Sequence, residues 1–346
     1  DATFLAAHFF ECWFWATVIG LSLAYVADSA AQKSKPIDAK YQRCLTRDQI
    51  SNAKKNDDDS LDVEDLLAKL PVNNNKIWVL EFFNGSFFNP RIFGVDAKMA
   101  LYCLGAVMLQ LNILSMAALH YQNNGSVIAN AVIVYVGMFT WFLIEYSFFE
   151  NVHLYTYDLF AEKVGAKLIF GCLGFYPYLY CIGGTVLSPY APHQNPQLYG
   201  SDMSILSSLL TVALFFSGWI LTRGANMQKY YHKINPNDES FFFGKIPQRT
   251  IPGSRIIYSG FWGVSRHVNY LGEIIQGVGL AIPGFLVYYG AETSWICLVS
   301  WIYPLYYVCL FIPRERDDHV LCRKKYGLVW DEYCQKVPSR IIPYVY

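Results

Sequence analysis

Arg266, His267, Asn269, Tyr270 and Glu273 fall within eight residues of the stretch Ser259–Glu273, SGFWGVSRHVNYLGE, between one apolar segment and the next. Polar groups so placed in a membrane chain are expensive to leave unpaired, which makes them a functional-site hypothesis by default. Gly272 permits a close backbone approach, and the polar groups then line a cavity rather than face lipid. A second group, Arg223, Asn226, Lys229 and Lys233, has spacings of three, three and four. On a helix leaving the membrane its members share one face. Such a row can hold the phosphates of a dinucleotide; it also fits a snorkelling collar that anchors a helix end.

The elements that must position these groups are apolar. The 346-residue chain is 54% hydrophobic and only 16% charged, against about 25% charged in soluble domains. Long apolar runs cover residues 2–27, 99–120, 127–149, 164–187, 203–222, 274–290 and 294–312. The expected fold class is therefore an all-α polytopic membrane protein, a bundle of roughly 8–10 transmembrane helices. The first run lacks a basic n-region and a small-residue cleavage site, so it reads as a span and not a signal peptide. In it His8 and Glu11 stand one turn apart, at a helix end near the interface.

Residues 28–76 hold nine basic and nine acidic residues and read as a solvated loop, with one short amphipathic helix at Leu61–Leu70. Asn89-Pro90 marks a turn, with Arg91 and Lys98 as interfacial anchors. The expected organisation is a first span at 1–27, the loop at 28–76, a bundle at 77–222, and a last part with the polar stretch and the basic tail at 223–346. Lys and Arg are in excess in the connection Arg223–Arg255 and in the tail Pro313–Tyr346. Two spans separate these regions, so both face one side, the cytoplasm.

The zero net charge implies no bulk attraction to nucleic acid. No GxGxxG, P-loop, HExxH or GxSxG occurs, so a nicotinamide cofactor is not held by a Rossmann unit. The nine cysteines show no CxxC pair or metal-ligand spacing and read as small core residues. Asn84-Gly-Ser and Asn124-Gly-Ser are sequons, a weak signal of glycosylation.

Several motifs together resemble the sterol reductase family of the endoplasmic reticulum. They are Asn89-Pro90-Arg91-Ile92 with Asp96 and Lys98, RGANMQK at Arg223–Lys229, FWG followed by Arg266-His267-x-Asn269-Tyr270-x-Gly272, and the tail PRERDDHVLCRKKYGLVWDEYCQKVPSRIIPYVY. The pattern is most similar to the sterol C14 reductases and the lamin B receptor; SGFWGV and PYLY are also similar to the 7-dehydrocholesterol reductases. Tyr102, Leu104 and Cys172 stand where the family usually has charged residues, Asp317 where it has arginine, and Glu273 where it has aspartate.

The resemblance implies NADPH as cofactor and a membrane-embedded sterol as substrate, with the substrate-side half in 77–222 and the NADPH-binding and catalytic half in 223–346. By carry-over, Arg223, Asn226, Lys229, Lys233, Trp262, Arg266, Asn269, Arg314, Asp318 and Tyr333 bind the cofactor. The implied reaction reduces an isolated carbon–carbon double bond, Δ14, with Δ7 as the alternative. Such a bond is not polarised, so an acid must protonate one carbon before hydride adds to the other. The expected donor network is Tyr270 and Glu273, relayed through His267. A membrane methyltransferase using S-adenosylmethionine shares RHxxY and a basic, aromatic tail, and a catalytically silent scaffold is a third reading.

Overall fold

In lipid a backbone must satisfy its hydrogen bonds internally, so the apolar runs fold as helices. The computed structural model describes residues 1–30, 78–85, 90–92, 94–153, 163–195, 198–291 and 294–346. Apart from residues 28–30, the 28–76 loop with its Leu61–Leu70 helix lies outside them, as do Asn89 and Ser86 of the first sequon. Among the described residues, six helical segments are long and apolar enough to cross a membrane: α1 (Phe9–Ala30), α2 (Ala97–Asn123), α3 (Asn130–Phe148), α4 (Ala166–Leu187), α5 (Ile205–Ile234) and the run Ser294–Tyr326. That last run comprises a 3-10 stretch, Ser294–Trp301, and α7 (Ile302–Tyr326). Between α5 and that last run lies α6 (Val268–Leu286), which covers most of the expected span 274–290. Asn269, Glu273 and Gln276 dilute its apolarity and leave it outside the six. The chain is an all-α polytopic membrane protein. A last short helix, α8, covers Leu328–Lys336.

The described residues divide into two compact units. One holds residues 13–105 and 161–175. Within it α1 packs closely on α4: a Cβ at Gly20 would meet the Phe170 Cα at 3.5 Å, and one at Gly174 the Thr17 Cα at 3.0 Å. The ribbon β1 (Arg91–Ile92) and β2 (Val95–Asp96) turns through Gly94, φ +81°. Asp96 then accepts from the Lys98 and Met99 amides at 3.0 and 3.1 Å, capping the start of α2. Lys98 is not the interfacial anchor expected of it. It is 1% exposed, because the cap turns its side chain inward.

The other unit holds residues 1–12, 106–160 and 176–346. His8 pairs with Glu11 on an exposed surface. Asn124 is fully buried; its amide donates to the Val127 carbonyl at 2.9 Å and accepts from the His193 amide at 3.0 Å. That sequon therefore serves the turn, not a glycan. The core of the unit is the α5–α6 contact, which small residues make possible. A Cβ at Gly218 would sit 2.6 Å from the Gly272 carbonyl oxygen, and one at Gly279 3.1 Å from the Phe215 Cβ. Gly272 thus makes the close approach expected of it. The Thr222 hydroxyl adds a bond to the Asn269 carbonyl at 3.0 Å. Helix α5 runs unbroken through residues 222 and 223, across the boundary expected between the two functional halves.

Candidate active site

Gly260, at φ +64°, opens a 3-10 turn, Gly260–Gly263, that is held to α5 by side chains. Gln228 on α5 donates to the Ser259 carbonyl at 3.2 Å and accepts from the Phe261 amide at 3.0 Å. The Trp262 indole donates to the Ala225 carbonyl at 2.9 Å, and its ring receives the Lys229 ammonium at 5.6 Å, within cation–π range.

The tail fixes the next residues. The Arg266 and His267 amides donate to the Ser339 and Arg340 carbonyls at 3.0 and 2.9 Å. The Arg266 guanidinium bonds the Cys334 sulfur at 2.8 Å, the His319 Nδ1 at 3.3 Å and the Pro338 carbonyl at 3.2 Å. His319 Nδ1 also accepts from the Trp330 indole at 3.1 Å, so in the neutral ring the proton sits on Nε2. Arg340 in turn holds the fully buried Glu315 at 3.0 Å, and Tyr333 donates to the Trp262 carbonyl at 3.3 Å. Burial pushes the Tyr333 phenol well up, so it is a donor throughout the physiological range.

At the centre, α7 aims Tyr303, Tyr307, Phe311, Arg314 and Asp318 along one face by their spacing of four, four, three and four. The Tyr303 hydroxyl donates to that of Tyr307 at 2.7 Å. Phe311 stacks on Tyr307 at 5.0 Å and on Tyr270 at 4.4 Å, and the other face of Tyr270 takes His267 at 4.8 Å. The Tyr270 hydroxyl donates to Asp318 at 3.0 Å. Arg314 lies over the same ring, 5.9 Å from its centroid. Lys229 and Arg314 are both within electrostatic reach of Asp318. Tyr180 joins the column against Tyr303 at 4.7 Å, and Glu273 acts electrostatically on Tyr180, Tyr303 and Tyr307.

His267, Tyr270, Asp318, Arg314 and Lys229 are therefore brought together, with Trp262 and Tyr333 behind them. Burial, then the nearby Arg266, Lys229 and Arg314 charges, lower the His267 pKa to about 3. Its contact with Tyr270 is a ring stack, and a neutral imidazole in that position is a weak proton source. Arg223 stands apart. Its guanidinium pairs with Glu145 on α3, both side chains buried, and lies over the Phe149 ring at 4.6 Å. Lys229 and Lys233 are exposed and Asn226 half-buried, so of the four-residue row it is this outer part that faces an incoming anion. Arg266 is engaged by the tail.

Tyr303, Tyr307 and Phe311 lie outside the quoted motifs, and Tyr180 closes PYLY (177–180) without being an expected site residue. The signal for Tyr303, Tyr307 and Phe311 is their four-residue repeat within the last apolar run. For Tyr180 the signal is its place at the end of PYLY.

The fit to a dinucleotide rests on the donor set. Cations at the mouth are followed inward by polar atoms without a hydrogen-bond partner among the described residues, including His267 Nε2 and Asn269 Oδ1. These give a polar ligand cationic and hydrogen-bonding contacts at successive depths.

Residues 52–346 match the ergosterol biosynthesis ERG4/ERG24 family. A protein of Methylotuvimicrobium alcaliphilum named Delta(14)-sterol reductase is 32% identical over 271 residues, 77% of this chain and 58% of its own length. One of Arabidopsis thaliana with the same name is 31% identical over 268 residues, 78% of this chain and 66% of its own. The mouse Delta(14)-sterol reductase TM7SF2 is 33% identical over 292 residues, covering 81% and 62%. In each case the match spans less than two thirds of the relative. With residues 52–346 matched, the Arg266–Gly272 motif and the tail that holds it included, the chain belongs to the ergosterol biosynthesis ERG4/ERG24 family.

Proposed function

We propose that this protein reduces the Δ14 double bond of a sterol with NADPH, in the membrane of the endoplasmic reticulum and with its basic loops toward the cytoplasm. The names of the relatives support the reaction. The observation that carries the reading is the joint between Tyr270 and Asp318, which sets a phenol and a carboxylate at 3.0 Å between a cationic mouth and an aromatic column.

Lys229, Lys233 and Asn226 hold the phosphates, while Arg314, Trp262, Asn269 and Tyr333 shape the inner part of the cofactor site. NADPH, when bound, supplies the hydride. The chain supplies the proton. Tyr270 and Glu273 stand three residues apart on α6 and so share a face, one bonded to Asp318 and the other facing the tyrosines. The proton leaves this network for one sterol carbon, and the other becomes a tertiary cation. The rings of Tyr307, Phe311 and Tyr180 offer their negative faces to that cation. His267 keeps Tyr270 oriented by stacking and excludes water from its inner face. The sterol lies on the apolar side of the column, where its four rings need no polar partner.

Anaerobic incubation of the purified chain with a Δ8,14 diene and NADPH deuterated at C4 tests this division of labour. One deuterium in the sterol product is expected. A reduced product without deuterium would overturn the hydride assignment.

A further inference from the structure

The connection that follows α5 carries a feature the active site does not use. Strands β3 (Ser240–Phe241) and β4 (Ile246–Pro247) pair antiparallel, with Phe241 opposite Ile246. At the tip, Phe242, Phe243 and Gly244 all have positive φ, at 53°, 54° and 79°. Left-handed positions favour glycine and asparagine. Two phenylalanines there are not explained by the backbone, and burial does not explain them either: Phe243 is 90% and Phe242 56% exposed.

The hairpin is firmly built. The Gln248 side chain donates to the Asp238 and Ser240 carbonyls at 3.3 and 3.2 Å, and its amide to Glu239 at 2.8 Å. Tyr231, in the last turns of α5, donates to Asp238 at 2.7 Å and packs on Phe241 at 5.8 Å between ring centroids. The base of the hairpin is thus fixed to the end of a membrane-spanning helix. Lys229 and Lys233, on either side of Tyr231, are the first exposed cations of that helix, and exposed lysines at the end of a span mark headgroup depth. Lys245 and Arg249 in the hairpin are exposed as well. Within the connection they balance Asp238 and Glu239 and can each reach a lipid phosphate at that depth.

We propose that the Phe242–Phe243 tip is an interfacial anchor, seated at the boundary between headgroups and acyl chains of the leaflet from which α5 emerges, with Lys245 and Arg249 on lipid phosphates. Aromatic side chains are favoured at this depth, and a strained, exposed turn gains there the burial that the protein itself does not provide. The anchor would hold the Tyr231 end of α5, and with it Lys229 and Lys233, at fixed depth.

The test uses the full chain with Phe243→Trp, reconstituted in nanodiscs of phosphatidylcholine and phosphatidylserine. Acyl chains carry bromine near the headgroup or near the terminal methyl. The difference between variant and parent emission isolates the added indole, and an unchanged thermal midpoint shows that the variant folds. A blue-shifted difference spectrum, quenched more strongly by bromine near the headgroup, is expected. A difference spectrum at the water-exposed wavelength that neither brominated lipid quenches would overturn the proposal and leave the tip as a site for another protein. Stronger quenching by bromine near the methyl would overturn the assigned depth.

Discussion

The Tyr270 hydroxyl donates to the Asp318 carboxylate across 3.0 Å, joining the first turn of α6 to a point near the end of α7, 48 residues later in the chain. A hydrogen bond to a charged group contributes about 1.5–3 kcal/mol, and here it also orients a phenol that is stacked with both His267 and Phe311. If proton delivery depends on the pair, Tyr270→Phe and Asp318→Asn each lower kcat/KM by at least about tenfold, and the double variant is little worse than either. A steady-state double-mutant cycle checks this; strictly additive losses would separate the two residues.

Arg223 and Lys229 lie six residues apart on α5 but have different surroundings. Removing one partner of a buried ion pair costs about 3–5 kcal/mol, so Arg223→Ala should lower the thermal midpoint in detergent sharply. Lys229→Ala should leave it nearly unchanged while weakening NADPH binding about tenfold, more at low salt than at high. Thermal unfolding beside a cofactor titration distinguishes the two roles.

Gly218 and Gly272 have no room for a methyl group. Gly218→Ala places a Cβ against the Gly272 carbonyl oxygen at 2.6 Å, and overpacking of this kind costs about 1–3 kcal/mol. Because Gly272 sits two residues after Tyr270, the backbone shift also moves the phenol proposed to deliver the proton. The expected result is a loss of kcat/KM larger than the loss of stability explains, read from activity measured well below the new midpoint.

His267 sets a pH dependence. The buried ring is neutral down to about pH 3, while the unfolded chain protonates near 6.5. The stabilisation from keeping it neutral is therefore complete above 6.5 and is lost as the pH falls from there toward 3, by up to about 1.4 kcal/mol per unit. His267→Asn removes a titrating group and should flatten this part of the midpoint-against-pH curve. An unchanged slope would place the acid sensitivity elsewhere.

The polar residues of Ser259–Glu273 and the basic tail were legible in the sequence because each carries a dense local pattern, and the structure joins them through Arg266 and the tail carbonyls. Helix positions were legible for a similar reason, since apolar length alone sets a span. Arg223 was not. Its partner Glu145 stands 78 residues away, and no spacing on α5 separates a cation that pairs inward from one that faces solvent. Lys98 misled in the same way, since a capping turn at Asp96 decides where its side chain points. Tyr180 reaches the column only because α4 packs beside α7, which is a property of the fold and not of any local run.

The central claim is the Δ14 reduction itself. The most direct measurement is anaerobic incubation of the detergent-purified chain with NADPH and, separately, a Δ8,14 and a Δ5,7 sterol diene, with products read by mass spectrometry. A gain of two hydrogens on the Δ8,14 diene alone is the predicted result. Reduction of the Δ5,7 diene alone would reassign the bond, and no change in either sterol while NADPH still binds would contradict the reductase account.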